Sequence, residues 1–169
     1  LAPTLASLAG RSTISFRRAM QILWVGTKAP WPPVDGGRLV AWLTLQALRD
    51  AGHRITLVVP FAATPDPAGI ARLREACDTE FVIAPPLSRM GALMGTLASS
   101  QPWTALRHTQ PALRQRVEEV LRRETFDVVH AEQPHALTAC AGAFERGLPV
   151  VLRAHNVETD LWTAAGAET

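Results

Sequence analysis

Cysteine is scarce in this chain: only Cys77 and Cys140 occur, and neither has a second cysteine or a spaced histidine nearby to complete a metal-ligand pattern. No metal site is therefore expected, and both thiols, set among apolar residues, read as small core side chains of a reduced cytosolic protein. Also lacking is any apolar run near the roughly 20 residues that cross a bilayer, so no transmembrane segment is expected. Charge of one sign is missing too. The 17 Lys+Arg against 15 Asp+Glu leave a net charge of +2, too little to suggest nucleic acid as a partner. Finally, there is no G-x-G-x-x-G turn after the first apolar run, which leads instead into the long loop from Thr27 to Arg38. Val59 is followed by Pro60-Phe61 where a ribose-binding acid would stand. A nicotinamide or flavin role is disfavoured, and no cofactor is expected.

What is present suits one α/β domain, since 169 residues at 47% hydrophobic content can bury a core of their own. Residues 1–19 are rich in Ser, Ala and Arg and read as a disordered or non-native extension. Their apolar piece precedes the arginines, the reverse of a secretory signal. From residue 20 to 169 the chain reads as a domain of alternating strands and helices. Short continuous apolar runs, the mark of strands buried on both faces, are expected at Gln21–Gly26, Ile55–Val59, Glu80–Ala84, Asp127–His130 and Pro149–Arg153.

Between the strands, a helix is expected over Gly37–Ala51, stopped by Gly52. A second follows the Asp66-Pro67 cap, with Ile70, Leu73, Ala76 and Cys77 inward. Leu87–Ser100 is small and apolar with Arg89 embedded, and Pro102-Trp103 breaks it. A third helix turns Leu113, Val117, Val120 and Leu121 inward and leaves Arg114, Arg116, Arg122 and Arg123 on its surface. A fourth is expected over Pro134–Phe144, with Leu137, Cys140, Ala141 and Phe144 inward and Gly147 at its end. Five strands alternating with helices predict a doubly wound parallel sheet, Rossmann-like, in the order 3-2-1-4-5, with ligands outside the carboxyl ends of strands 1 and 4.

Two groups of residues stand at those ends. Gly36-Gly37, with Arg38 one residue on, would let backbone N–H groups at a helix N-terminus approach a phosphate. The competing reading is that Asp35 caps the helix and the glycines only permit the turn; a capping carboxylate would also repel an anion, and Arg38 or Lys28 would have to offset it. Two histidines end neighbouring strands: His130, followed by Glu132, and His155, reached from Arg153 and followed by Asn156 and Glu158. Each alone is an ordinary hydrogen-bonding residue, whereas the pair beside carboxylates and an amide is a candidate site.

The chain resembles the N-terminal domains of family 4 retaining glycosyltransferases of the GT-B fold. The resemblance runs from Met20 to about Trp162 and rests on Ile22-Leu-Trp-Val with Pro30-Trp-Pro-Pro-Val-Asp-Gly-Gly-Arg, on Leu48 to Val58, on Phe126-Asp-Val-Val-His, and on Leu148 to Glu158. It implies hexosyl transfer from a nucleotide-diphosphate sugar to a glycan or lipid-linked acceptor, with retention and usually without a metal. This chain would be the acceptor-side half, truncated before the donor-binding domain and inactive alone. The resemblance places Gly36, Gly37 and Arg38 by the donor diphosphate, His130 and His155 at the reacting sugar, and Glu132, Asn156 and Glu158 towards the acceptor. Glu132 stands where many relatives carry a second histidine, so that histidine's role does not transfer. Polysaccharide biosynthesis in the cytoplasm is the setting implied. A peripheral contact with the inner face of the membrane, through Leu87–Trp103 with Arg107 and His108, is a weaker expectation. The alternatives are an acceptor-binding subunit of a split glycosyltransferase and a stand-alone binding module.

Overall fold

The computed structural model describes residues 18–84 and 111–154. The segment Leu87–Trp103, with Arg107 and His108, most of the expected extension 1–19, and His155, Asn156 and Glu158 lie outside the described residues. Five strands, β1 (Gln21–Gly26), β2 (Arg54–Phe61), β3 (Asp78–Ile83), β4 (Val128–Glu132) and β5 (Val150–Arg153), form one sheet in the order β3-β2-β1-β4-β5. Every pairing is parallel. The order and the direction match the sequence reading. The helices α1 (Gly36–Asp50), α2 (Pro67–Arg74), α3 (Pro111–Arg123) and α4 (Ala141–Glu145) connect them, with a 3-10 helix over Pro134–Cys140 leading into α4.

Successive residues of a strand face opposite sides, and here both sides are buried. Ile22 and Trp24 of β1, with Ile55, Leu57 and Val59 of β2, pack under Ala41, Trp42 and Leu45 of α1 and Ile70 and Leu73 of α2. Leu23, Val25, Val58, Val129 and Ala131 pack on the other face against Leu113, Val117, Val120 and Leu121 of α3. Cys77 and Cys140 are buried, one on each side of the sheet. Burial pushes their thiols up, to about 11 and about 12.

Departures from the sequence reading have local causes at β2, β4 and the segment after Pro134. Pro60 lies inside β2 rather than closing it, paired with Val82. The N–H of Arg54 donates to the Met20 carbonyl, so even-numbered N–H groups of β2 point to β1, whose register ends at Val58. Pro60 has no N–H with which to carry that ladder on to the last residue of β1, and the β1–β2 register stops before it. β4 runs two residues past His130, because β1 offers partners as far as Gly26 opposite Glu132. The expected helix over Pro134–Phe144 is 3-10 for its first seven residues. A 3-10 turn holds about 3.0 residues rather than 3.6, which rotates the inward face. Ala136, Ala139, Cys140 and Ala143 are buried, whereas Phe144, expected inward, is 55% exposed.

Candidate active-site cleft

The loop after β1 and the N-terminus of α1 form one wall at the carboxyl ends of the strands. Gly26 ends β1 where a Cβ would come within 3.0 Å of Val59 Cγ1 and 3.2 Å of the Lys28 carbonyl, so glycine lets the loop turn tightly over β2. The Trp31-Pro32 peptide is cis. Asp35 is the N-cap of α1: its Oδ1 accepts from the Arg38 N–H at 2.8 Å, and its Oδ2 lies 3.4 Å from Arg38 Nε. That backbone donor, with the Arg38 and Lys28 charges behind it, holds the Asp35 carboxyl below its ordinary value of 3.8.

Of the two readings of the glycine pair, the capping one is shown directly. Asp35 does cap the helix. Gly36 and Gly37 are the first two helical residues, whose N–H groups have no intrahelical partner. A Cβ on Gly36 would meet nothing within 4 Å, and one on Gly37 would touch only Asp35 Oδ1 at 3.4 Å. The space over this turn is open to a ligand.

The opposite wall is built by β4 and β5. His130 and Glu132 alternate onto the α1 side of β4, and Arg153 is the register partner of Glu132 on β5. Glu132 is 6% exposed. Its Oε1 accepts from Arg153 Nη2 at 2.7 Å and Nε at 3.1 Å, and its Oε2 lies 3.0 Å from His130 Nε2. A carboxylate only accepts, so in this contact Nε2 is the donor. The imidazole lies on the Trp24 ring at a centroid distance of 3.8 Å, and the Arg153 guanidinium stands 5.5 Å from the same ring. Arg153 Nη1 also donates to Thr44 Oγ1 of α1 at 2.9 Å, which links β5 to the helix that carries the glycine pair. Glu132, expected towards the acceptor, is thus a buried, multiply bonded carboxylate.

Sequence reading missed three residues here. Gln133, next after β4, has φ 75° and ψ 154°, a conformation that side chains other than glycine's rarely adopt. Its amide oxygen accepts from Thr27 Oγ1 at 3.1 Å and its N–H donates to the Arg153 carbonyl at 3.0 Å, so it bridges the β1 loop and β5. Arg153 and Thr44 were likewise invisible, because their contacts span 21 and 109 residues. The two walls meet in a small crevice lined by Lys28, Gly37, Arg38, Glu132 and Gln133. The crevice thus brings together Gly37 and Arg38, expected by the donor phosphate, and Glu132, expected towards the acceptor. His130 sits beneath them, 14% exposed.

Among the described residues, no group of three or more His, Cys, Asp or Glu is placed to hold a metal ion. No helix among them is long and apolar enough to cross a membrane.

Comparison with known proteins gives the following likenesses. The family described as Glycosyltransferase Family 4 matches residues 34–167. An uncharacterized 44.6 kDa protein in the cps region of Klebsiella pneumoniae is 24% identical over 144 residues, covering 85% of this chain and 35% of its own length. The chain thus spans about a third of that curated relative. Among solved structures, the C-terminal domain of a hydrogenase from Pyrococcus furiosus superposes with a TM-score of 0.50 at 16% identity, over 79% of this chain and 90% of that one. Apo UGT2 of Phytolacca americana gives a TM-score of 0.48 at 14% identity, over 80% of this chain and 29% of its own. At 16% identity the hydrogenase superposition speaks to fold alone.

Proposed function

The chain belongs to glycosyltransferase family 4, and from that premise we propose that it forms the acceptor-side half of an enzyme that moves a hexosyl group from a nucleotide-diphosphate sugar to an acceptor, with retention. The observation that carries this reading is the crevice at the carboxyl ends of β1 and β4. There the open first turn of α1, with Gly36 and Gly37, stands beside Lys28 and Arg38 and opposite the β4 terminus. In an open α/β sheet this switch point between β1 and β4 is where ligands bind.

In this reading, negative charge builds on the departing diphosphate as the bond to the sugar loosens. First-turn N–H groups and the two cations already in place lower that barrier without reorganising. Asp35 opposes the anion, and Lys28 and Arg38 offset it. His130 and His155 flank the reacting sugar, and Glu132, fixed by Arg153, sets the orientation of His130. Asn156 and Glu158 bind the acceptor. No protein nucleophile is assigned. The donor-binding residues come from a second domain of the whole enzyme, which works in the cytoplasm on polysaccharide precursors.

Screening nucleotide sugars for hydrolysis and transfer by the full-length enzyme tests the proposal. Gly37→Val and His155→Ala are expected to lower turnover at least tenfold while the proteins still fold. Wild-type turnover and unchanged donor affinity in both variants would sink the site.

A further inference from the structure

At the other end of the sheet, where β2 and β3 begin and α2 and α3 stop, lies a cleft of about 760 Å³, within the roughly 300–1,000 Å³ that small-molecule sites occupy. From Arg54 on its rim, β2 runs eight residues to Phe61, roughly 23 Å at about 3.3 Å per residue. The cleft is therefore separate from the crevice at the carboxyl ends. All ten residues that line it are polar or charged. Two of them, Thr56 and Thr79, are buried and their hydroxyls are already used: Thr56 Oγ1 donates to Glu124 Oε2 at 3.2 Å, and Thr79 Oγ1 to the Cys77 carbonyl at 3.3 Å.

Charge decides what the cleft can take. Three arginines line it with three carboxylates, but they are not matched one to one. Arg123 Nη2 donates to Glu80 Oε1 and to Glu124 Oε1, each at 2.7 Å, and Arg116 stands 4.0 Å from Glu80, so those two carboxylates are satisfied by the protein itself. Arg54, Arg74 and Asp78 are exposed and have no side-chain partner among the described residues. The free groups on the rim are thus two guanidinium forks and one carboxylate, with Gln21 and Thr125 as neutral donors and acceptors. An apolar ligand finds no wall here. A polyanion such as a nucleotide meets three carboxylates and the partly negative carboxyl ends of α2 and α3. A single carboxylate, by contrast, fits either fork with two parallel hydrogen bonds. Hydroxyls beside it, each donor and acceptor at once, fit Asp78, Gln21 and Thr125.

We propose that this cleft is a glycan-binding site apart from the crevice, one that holds a sugar carrying a carboxylate: the carboxylate on Arg54 and Arg74, the hydroxyls on Asp78 and its neutral neighbours. It holds its ligand and performs no chemistry. The proposal goes beyond the transferase reading and does not depend on it, since the class of ligand follows from the free groups on the rim. A glycan bound here is anchored at one end of the sheet while the crevice at the other end stays open.

Methyl β-glucuronoside, with one carboxylate and a ring of hydroxyls, is a suitable probe, titrated into the full-length enzyme without nucleotide sugar and followed by saturation-transfer NMR. It is expected to bind at least tenfold more tightly than methyl β-glucoside, which lacks the carboxylate, or acetate, which lacks the hydroxyls. Arg54→Gln and Arg74→Gln should each weaken it at least fivefold. Both side chains are exposed and far from the crevice, so the unfolding midpoint and any nucleotide-sugar hydrolysis should stay as in the parent. Asp78→Ala separates a sugar site from a simple anion site. Loss of a hydroxyl acceptor should weaken the glucuronoside at least twofold, whereas an anion site freed of a neighbouring carboxylate would bind it more tightly. Equal affinity for glucuronoside and glucoside, unchanged binding in both arginine variants, or tighter binding in Asp78→Ala would each overturn the proposal.

Discussion

Replacing Arg153 by methionine tests whether the buried carboxylate at the β4 end depends on its partner. The variant removes two N–H groups from Glu132 Oε1, at 2.7 and 3.1 Å, and a third from Thr44 at 2.9 Å. Glu132 is then left at 6% exposure without the guanidinium, its Oε2 still 3.0 Å from His130 Nε2. Breaking a fully buried pair by removing one member costs about 3–5 kcal/mol. The Arg153 side chain keeps 23% of its surface in water, and exposed pairs are worth about 0–1 kcal/mol. The expected loss lies between these limits, about 2–3 kcal/mol, measured as a shift in the urea unfolding midpoint at constant m-value. The double variant Glu132→Met with Arg153→Met removes the stranded charge and should recover at least about half of the loss. A single-variant cost below about 0.5 kcal/mol, or additive costs in the double variant, would refute the claim that this pair is buried and coupled.

The remaining expectations concern the turn, the strained residue and the thiols. Gly26→Ala drives a Cβ to 3.0 Å from Val59 and 3.2 Å from the Lys28 carbonyl, and should cost about 1–3 kcal/mol in urea unfolding. Gly36→Ala, which meets nothing, should change stability by less than about 1 kcal/mol. Gln133→Gly relieves the positive φ while Gln133→Ala keeps it, and both lose the Thr27 bond, so the glycine variant should be the more stable by about 1 kcal/mol; the reverse order would mean that the backbone there is unstrained. Asp35→Asn keeps an oxygen for the Arg38 N–H and removes a carboxylate beside the proposed phosphate, so full-length enzyme should bind a nucleoside diphosphate more tightly; weaker binding would remove Gly36 and Gly37 from the phosphate site. Burial raises Cys77 and Cys140 from an ordinary 9.0 to about 11 and about 12. Above pH 9 the unfolded chain loses these protons before the folded one, so their contribution is complete below that pH and is lost as pH rises through the raised values. Unfolding midpoints in a Cys77→Ala, Cys140→Ala variant should fall less steeply above pH 9 than in the parent.

How much of this was legible in the sequence depended on whether the cause was local. Continuous apolar runs marked all five strands, because a strand covered on both faces needs apolar residues at odd and even positions alike, and the shared direction and order followed from the connecting helices. Asp35 and Asp66 were readable as caps since a cap acts within three residues. Phe144 was misplaced because helical spacing was counted at the wrong pitch after Pro134.

The β4 end failed differently. Ala131-Glu132-Gln133 reads as polar loop, and only the arrival of β5, with Arg153 opposite Glu132, turns a carboxylate into an acceptable strand residue buried next to Trp24 and His130. The same pairing strains Gln133, whose N–H must reach the Arg153 carbonyl while its side chain reaches back to Thr27. Charge compensation between strands more than twenty residues apart has no local signature, so the feature that most rigidly fixes one wall of the cleft is the one that a pass along the chain cannot see. It also explains why the site tolerates glutamate in that position: Arg153 satisfies it from a neighbouring strand, and His130 gains a fixed acceptor for its Nε2 proton in return.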